Sequence, residues 1–110
     1  MLIVAGVFEF VPGGFERIKE SVTTAIENSR KEQGNQVYDW AIDLTAPNRA
    51  TIFEVWDSQE DLDKHFTYPY MDNLVGSLSE ASIRGDITSY SAEIYDVSGK
   101  RDMGFVLPTE

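Results

Sequence analysis

Apolar residues in the first third of the chain change from a strand-like to a helix-like spacing. Residues 2–11 are rich in Val, Ile and Phe and end at Pro12-Gly13-Gly14, which predicts a first β-strand. Apolar or small side chains then recur every three or four residues, at Phe15, Ile18, Val22, Ile26 and Ser29. This spacing predicts an amphipathic helix of about five turns that stops at Gly34.

The middle of the chain alternates like two strands of a hairpin. Residues 35–44 place apolar side chains on one side, at Tyr38, Trp40, Ile42 and Leu44. The turn chemistry of residues 45–49 predicts the hairpin loop, and a third strand follows. In that strand Ile52, Glu54 and Trp56 point to one side, and Phe53 and Val55 point to the other. A strand that is apolar on both faces is expected to be covered on both faces.

A short helix is expected after the third strand, because Asp57 and Ser58 give a helix-cap signal. Its inward stripe carries Leu62, with His65 on or beside that stripe. Tyr68-Pro69 interrupts the helical region. A second stripe then begins with Met71, Leu74, Val75 and Leu78. Residues 87–97 alternate again and predict the last strand.

The order strand, helix, strand, strand, helix, strand predicts an α+β fold of the ferredoxin-like split βαββαβ type. This fold is an antiparallel four-stranded sheet with helices on one face, and we assign it to residues 1–98. Because strands one and three are apolar on both sides, we expect a second copy of the chain to cover the bare face as a homodimer. Residues 99–110 form a C-terminal tail with several apolar residues, which we expect to dock, plausibly across the dimer interface.

Composition narrows the classes of partner. The chain has 110 residues, no cysteine and a formal net charge of -10. Disulfides and thiolate metal sites are therefore excluded, and the charge argues against nucleic acid and anionic membranes as partners. No apolar stretch is long enough to predict a membrane span. We expect a cytoplasmic protein of one domain.

His65 is the only histidine and the main candidate for chemistry. Imidazole titrates near neutral pH, so His65 is a candidate acid or base toward a bound phenol. The alternative is a partly buried histidine that fixes the helix. A metal site is not expected, since one histidine without cysteine gives too few ligands.

Five further residues are candidates for binding a substrate. Trp56 is either an apolar wall for a flat ligand or plain core. Glu54, on the same face, should be buried or paired, and we expect a structural partner such as a nearby arginine or a backbone amide. Tyr68, Tyr70 and Asn73 are either hydrogen-bonding residues at the mouth of the same pocket or ordinary loop and helix residues.

Several of these residues stand in a recognisable pattern. The pattern is Glu54-x-Trp56-x-Ser58, then Leu62 and His65, then Pro69-x-Met71, with the opening MLIVAGVFEFVPG and Tyr38. It resembles the antibiotic biosynthesis monooxygenase family, whose small dimeric α+β barrels include quinol monooxygenases and anthrone oxygenases. The resemblance covers residues 1–97. It departs at Tyr70, where several relatives have a second histidine, and the polar residues that some anthrone oxygenases place around their substrate are not evident.

The resemblance implies a pocket between sheet and helices that contains Trp56 and His65. It implies that a deprotonated substrate itself gives an electron to dioxygen, so that no cofactor is needed. We therefore expect a cofactor-independent monooxygenase that acts on a small electron-rich aromatic such as a quinol or anthrone. Two alternatives are a non-catalytic dimeric module that binds an aromatic metabolite, and a haem-binding relative in which His65 is the axial ligand. The acidic surface does not favour haem propionates.

Overall fold

The computed structural model describes residues 1–108 and confirms the predicted order of helices and strands. A 3-10 turn, Phe15–Arg17, lies between the first strand and the first helix. The remaining elements are β1 (Leu2–Phe10), α1 (Lys19–Ser29), β2 (Asn35–Asp43), β3 (Ala46–Trp56), α2 (Gln59–His65), α3 (Pro69–Arg84) and β4 (Ile87–Asp96).

The four strands form one antiparallel sheet in the order β2-β3-β1-β4. This order is the ferredoxin-like arrangement, and it confirms the predicted fold. The helices pack on one face of the sheet, where Tyr90 and Ile94 of the edge strand β4 stay more than half exposed. The core between them is built from buried apolar residues, among them Phe8, Phe10, Ile18, Val22, Ile52, Met71 and Leu74.

The prediction of a first helix of about five turns was wrong at both ends. The helix begins at Lys19, since residues 15–17 form the 3-10 turn, and it ends at Ser29. After Ser29 the backbone hydrogen bonds join residues that are three positions apart instead of four. They run from Glu32 N to Ser29 O at 3.0 Å and from Asn35 N to Glu32 O at 3.3 Å. Gly34, with a φ of 85°, completes the turn into β2.

The predicted hairpin loop was also too long. The strand β3 already begins at Ala46, and the loop is reduced to Leu44 and Thr45. The Asp43 carboxylate fixes this loop by accepting bonds from the Thr45 backbone N–H at 2.7 Å and hydroxyl at 2.8 Å. The register shifts between Ile42 and Asp43, so Pro47 follows an irregular part of the ladder, where proline is tolerated.

The face of the sheet away from the helices remains partly apolar and open. The register places Ile3 beside Val55 and Tyr95, and Ala5 beside Phe53. Phe53 is 44% exposed and Tyr95 is 51% exposed. The helices therefore cover one face of β3, and the expected second cover by another copy of the chain stays a prediction.

The segment after β4 has no regular secondary structure as far as residue 108. Val97 N donates to Met1 O at 2.9 Å, which fastens the end of the strand to the start of β1. Beyond it the apolar side chains of the tail are exposed, namely Met103, Phe105, Val106 and Leu107. The boundary at residue 98 and the docking of the tail stay predictions, and residues 109 and 110 lie outside the described part of the chain.

Candidate functional site

The short helix α2 brings His65 onto the end of β3. The helix begins because the Ser58 side chain caps it, accepting a bond from Asp61 N at 3.2 Å. Seven residues later the helix ends with His65 on its inner side. The imidazole and Trp56 are both 0% exposed, and their ring centroids lie 4.7 Å apart. The rings of Tyr38 and Phe66 contact the imidazole as well, at 5.3 and 5.0 Å.

Glu32 is the hydrogen-bond partner of His65. The Nδ1 atom of the imidazole lies 2.8 Å from Glu32 Oε2, and the glutamate side chain is only 6% exposed. The same carboxylate oxygen accepts a bond from the Tyr70 hydroxyl. Among residues 1–108, Nε2 of His65 is buried without a hydrogen-bond partner. One imidazole nitrogen is thus held by a carboxylate and the other is left free.

Burial lowers the pKa of His65, and the hydrogen bond and negative charge of Glu32 oppose this only in part. The imidazole is therefore neutral at neutral pH. A neutral ring carries one proton, and the adjacent carboxylate favours that proton on Nδ1. The free Nε2 then has a lone pair that can accept a proton.

Glu54 lies on the same face of β3 as Trp56 and bonds to it. The indole Nε1–H of Trp56 donates to Glu54 Oε1 at 2.9 Å. Burial raises the pKa of Glu54 to about 7, the Trp56 hydrogen bond lowers it, and the charge of Glu32 raises it further. The partner of Glu54 is thus an indole N–H, and not the arginine or backbone amide that we expected from the sequence.

The three remaining predicted residues lie on or before α3. Tyr68 stacks on Tyr70, with ring centroids 5.4 Å apart and ring planes within 8°. Tyr70 contacts Glu32 and also lines a polar cleft of about 450 Å³ between α1 and α3. Exposed Asn73 lines this cleft, whereas neither His65 nor Trp56 does. The structure therefore brings Tyr70 to the histidine and leaves Asn73 outside that cluster.

Glu32 is the residue that the sequence reasoning missed. It follows Ser29 by three positions, so it continues the inward stripe of α1 past the end of the helix. An acidic residue at an inward position needs a buried partner. That signal was present in the sequence, although the identity of the partner was not.

A metal centre finds no support in the described part of the chain, where no group of three or more histidine, aspartate and glutamate residues is placed to hold an ion. Within residues 1–108, no helix is both long enough and apolar enough to cross a membrane.

Solved structures share this fold at low sequence identity. A proposed antibiotic biosynthesis monooxygenase from Deinococcus radiodurans is 18% identical, with a TM-score of 0.80 over 94% of this chain and 98% of its own. Another from Nitrosomonas europaea is 17% identical, with a TM-score of 0.77 over 90% and 100%. A conserved protein from Methanosarcina mazei is 22% identical, with a TM-score of 0.73 over 86% and 89%.

No curated protein sequence matches the chain. Residues 1–76 match the model of the family described as antibiotic biosynthesis monooxygenase. That segment contains every residue of the cluster around the histidine, from Glu32 to Tyr70. The chain belongs to the antibiotic biosynthesis monooxygenase family.

Proposed function

We propose that the protein is a cofactor-independent monooxygenase that oxidises a small electron-rich aromatic, such as a quinol or anthrone, with dioxygen. The observation that supports it is the buried imidazole of His65, which lies against the ring of Trp56, has Nδ1 at Glu32 and has no partner for Nε2 among residues 1–108. Family membership supports the same class of reaction.

In this proposal His65 is the base. The lone pair of Nε2 accepts the proton of a phenolic hydroxyl, and the resulting phenolate is a much better electron donor than the phenol. The phenolate gives one electron to dioxygen, and the radical pair combines to form a carbon–oxygen bond. One oxygen atom stays on the substrate and the other leaves as water, with the two hydrogens that the substrate loses. The electrons come from the substrate, so the balance requires no added reductant.

The surroundings of His65 suit such an intermediate because they exclude water. Tyr38 and Trp56 are 2% and 0% exposed, and both rings contact the imidazole. A site without water protects a radical or carbanion-like species from protonation. Since His65 is itself fully buried, a substrate reaches Nε2 only when the surrounding side chains open.

The proposal assigns the other predicted residues to substrate binding. Trp56 forms the apolar wall, and Glu54 orients its indole ring through the bond at 2.9 Å. Tyr70, stacked on Tyr68, connects the site to the polar cleft in which Asn73 lies. The proposed partners are the aromatic substrate, dioxygen and a second copy of the chain, in the cytoplasm.

The test is oxygen uptake with a panel of quinols and anthrones. The wild-type protein should consume oxygen with at least one of them, and His65→Ala should lower turnover by about a hundred- to ten-thousand-fold. Lys64→Ala is the matched control, because its exposed side chain lies next to His65 on the same helix. Full oxygen uptake by His65→Ala would show that the imidazole is not the base.

A second candidate is a non-catalytic module that binds an aromatic metabolite. The complete burial of His65 favours it, because a histidine satisfied by Glu32 is also a good structural residue. In that case calorimetry would show binding of an aromatic compound with no oxygen uptake by any variant.

A further inference from the structure

We propose that Glu32 is the positioning residue of this site and that Tyr70 is the outer end of a proton path from His65 to the cleft between α1 and α3. This inference rests on the proposed function and adds two roles to it. Glu32 selects the imidazole tautomer, and Tyr70 connects a fully buried base to solvent.

The role of Glu32 follows from the donors that converge on it. Glu32 Oε2 already accepts a hydrogen bond from the Tyr70 hydroxyl, so the nitrogen that lies 2.8 Å from this oxygen is the one expected to carry the proton. That nitrogen is Nδ1, which leaves the lone pair on Nε2, the atom that has no partner in the described structure. If Glu32 were absent, neither tautomer would be favoured by a bond of this kind. The glutamate therefore decides which nitrogen is the base.

The backbone holds Glu32 in place before any substrate arrives. Its N–H and carbonyl both bond within the turn between Ser29 and Asn35, at 3.0 and 3.3 Å. The carboxylate leaves this turn toward the interior and is 6% exposed. A positioning group must be fixed by its own surroundings, and this turn provides that restraint.

A buried base also needs a route for the proton it accepts. His65 is 0% exposed, whereas Tyr70 is partly exposed and lines the cleft. When Nε2 takes a proton from substrate, Nδ1 passes its own proton to Glu32. Glu32 then passes a proton to the Tyr70 oxygen as the phenol releases its hydrogen to solvent in the cleft. The oxygen that leaves as water then takes the proton from Nε2, and one proton returns from the cleft through Tyr70 and Glu32 to Nδ1. The cycle restores the Nδ1–H tautomer, and the water carries as many hydrogens as the substrate has lost.

Few other titratable groups face His65 from the elements packed around it. Tyr38 contacts the ring from β2, and burial followed by the charge of Glu54 raises its pKa, so it stays neutral. Glu54 on β3 is bonded to Trp56 instead of the imidazole. Burial and Glu32 raise the pKa of Tyr70, so this phenol keeps its proton and donates. Glu32 is thus the one carboxylate bonded to His65.

Nitrogen NMR of the imidazole tests the role of Glu32 without any substrate. Because His65 is the only histidine, its two ring nitrogens are observed without overlap from another histidine. The wild type should show a protonated Nδ1 and an unprotonated Nε2 at neutral pH. Glu32→Gln should give a mixture of tautomers and a lower His65 pKa, since the carboxylate charge that stabilises the imidazolium is lost. Glu27→Gln, an exposed site on α1, is the matched control.

Activity measurements then separate the two roles. On a substrate that the wild type oxidises, Glu32→Gln should lower kcat about a hundred-fold with little change in KM, because binding of the aromatic ring is retained. Tyr70→Phe should keep the Nδ1–H tautomer while lowering kcat. If Tyr70→Phe leaves kcat unchanged over the whole pH range, the proton path is wrong.

The outcomes distinguish this inference from the proposed function. A wild-type protein with the predicted tautomer but no oxygen uptake would overturn the monooxygenase proposal and leave the positioning by Glu32 in place. A protein that oxidises its substrate with the proton on Nε2, or whose tautomer is unaffected in folded Glu32→Gln, would overturn the positioning role alone. The wild-type spectrum decides the tautomer even if Glu32→Gln does not fold.

Discussion

At the scale of single residues, the site is held together by carboxylates bonded to neutral donors. Glu54 bonds to an indole N–H, and Glu32 bonds to an imidazole and a phenol. None of these donors brings a permanent positive charge into the interior. Burial raises the pKa of Glu54, so this carboxylate responds to pH in a range where exposed ones do not.

The first prediction concerns Glu54 and the pH dependence of stability. Its pKa in the folded protein is about 7, against 4.5 without the fold. The folded state binds the Glu54 proton more tightly than the unfolded state does. The contribution of this proton to the free energy of unfolding is therefore fully present below about pH 4.5 and is lost as the pH rises through 7. The loss amounts to about 3 kcal/mol. Urea unfolding between pH 4.5 and 8 should show this fall in the wild type and a smaller one in Glu54→Gln.

The wild type must be compared with Glu54→Gln because the titration of His65 changes stability with pH in the opposite direction. Burial lowers its pKa, so its contribution to stability grows as pH rises toward the unfolded value of about 6.5. Both proteins retain His65, so their difference isolates Glu54. Parallel curves for wild type and Glu54→Gln would contradict the prediction.

The second prediction concerns the structural role of His65. Replacing it with alanine removes a donor to Glu32 and leaves a cavity beside Trp56. We expect the free energy of unfolding to fall by about 1 to 3 kcal/mol, in addition to the loss of turnover. Lys64→Ala should stay close to the wild type in the same denaturation experiment. Equal stability of His65→Ala and wild type would indicate a solvated ring.

At the scale of elements, the turn between α1 and β2 connects the helix layer to the site. It contains Glu32, and Asp57 N donates to Gly34 O at 2.8 Å, which ties the turn to the start of α2. A Cβ atom on Gly34 would overlap the Asp61 side chain, in the first turn of α2. This turn therefore sets the distance between Glu32 and the helix that carries His65.

The third prediction is that Gly34→Ala is more destabilising than Gly85→Ala. Both glycines have positive φ angles, 85° and 83°, so alanine costs about 1 to 2 kcal/mol of backbone strain at either site. Only Gly34 adds an overlap, because nothing lies within 4 Å of a Cβ at Gly85. Thermal unfolding of the two variants should therefore differ by about 1 kcal/mol or more. Equal losses would show that Asp61 moves aside freely.

The elements also show what the sequence predicted and what it did not. Alternation correctly placed Ile52, Glu54 and Trp56 on one face, because strand geometry has a fixed period. The hairpin loop was mispredicted because residues 47–49 have turn chemistry, whereas the bonds made by Asp43 decide where the turn forms. The contacts of Glu32 span 33 positions to His65 and 38 to Tyr70, and no local pattern encodes such a distance.

At the scale of the whole molecule, the open face of the sheet is the surface on which we expect a second copy of the chain to pack. On this face Ile3 lies between Val55 and Tyr95, and Ala5 lies beside Phe53. Exposed apolar surface of this kind on a flat sheet favours association with another protein surface. A second copy offers the same surface, so an isologous contact is self-complementary.

The fourth prediction is that the protein is a dimer that Phe53→Asp converts to a monomer. Phe53 is 44% exposed in the single chain, so the substitution buries no charge inside it. In the dimer the carboxylate would be buried and unpaired, which costs several kcal/mol. Light scattering at micromolar concentration measures the mass. Thr23→Asp, on the exposed side of α1, should remain dimeric, and a monomeric wild type would contradict the packed sheets.

The fifth prediction is that truncation after Ser98 weakens the dimer and lowers the melting temperature. The tail exposes four large apolar side chains in the single chain, and we expect a second copy of the chain to cover them. Analytical ultracentrifugation across a dilution series measures the change in affinity. An unchanged dimer and melting temperature would show that the tail contributes no binding energy.

The alternation of β3 has a consequence for how the protein can evolve. Glu54 and Trp56 lie on the face that the helices cover, whereas Phe53 and Val55, each one peptide bond away, lie on the open side. If the proposed substrate site and the predicted dimer contact both hold, selection for a different substrate and selection for a different partner act on neighbouring codons of one strand. After a gene duplication, the two copies could diverge in chemistry through substitutions at Glu54. Substitutions at the adjacent residue, Phe53, could then prevent the two copies from forming mixed dimers. A new substrate preference and the loss of mixed dimers would then be inherited together, because the two substitutions are adjacent in the gene.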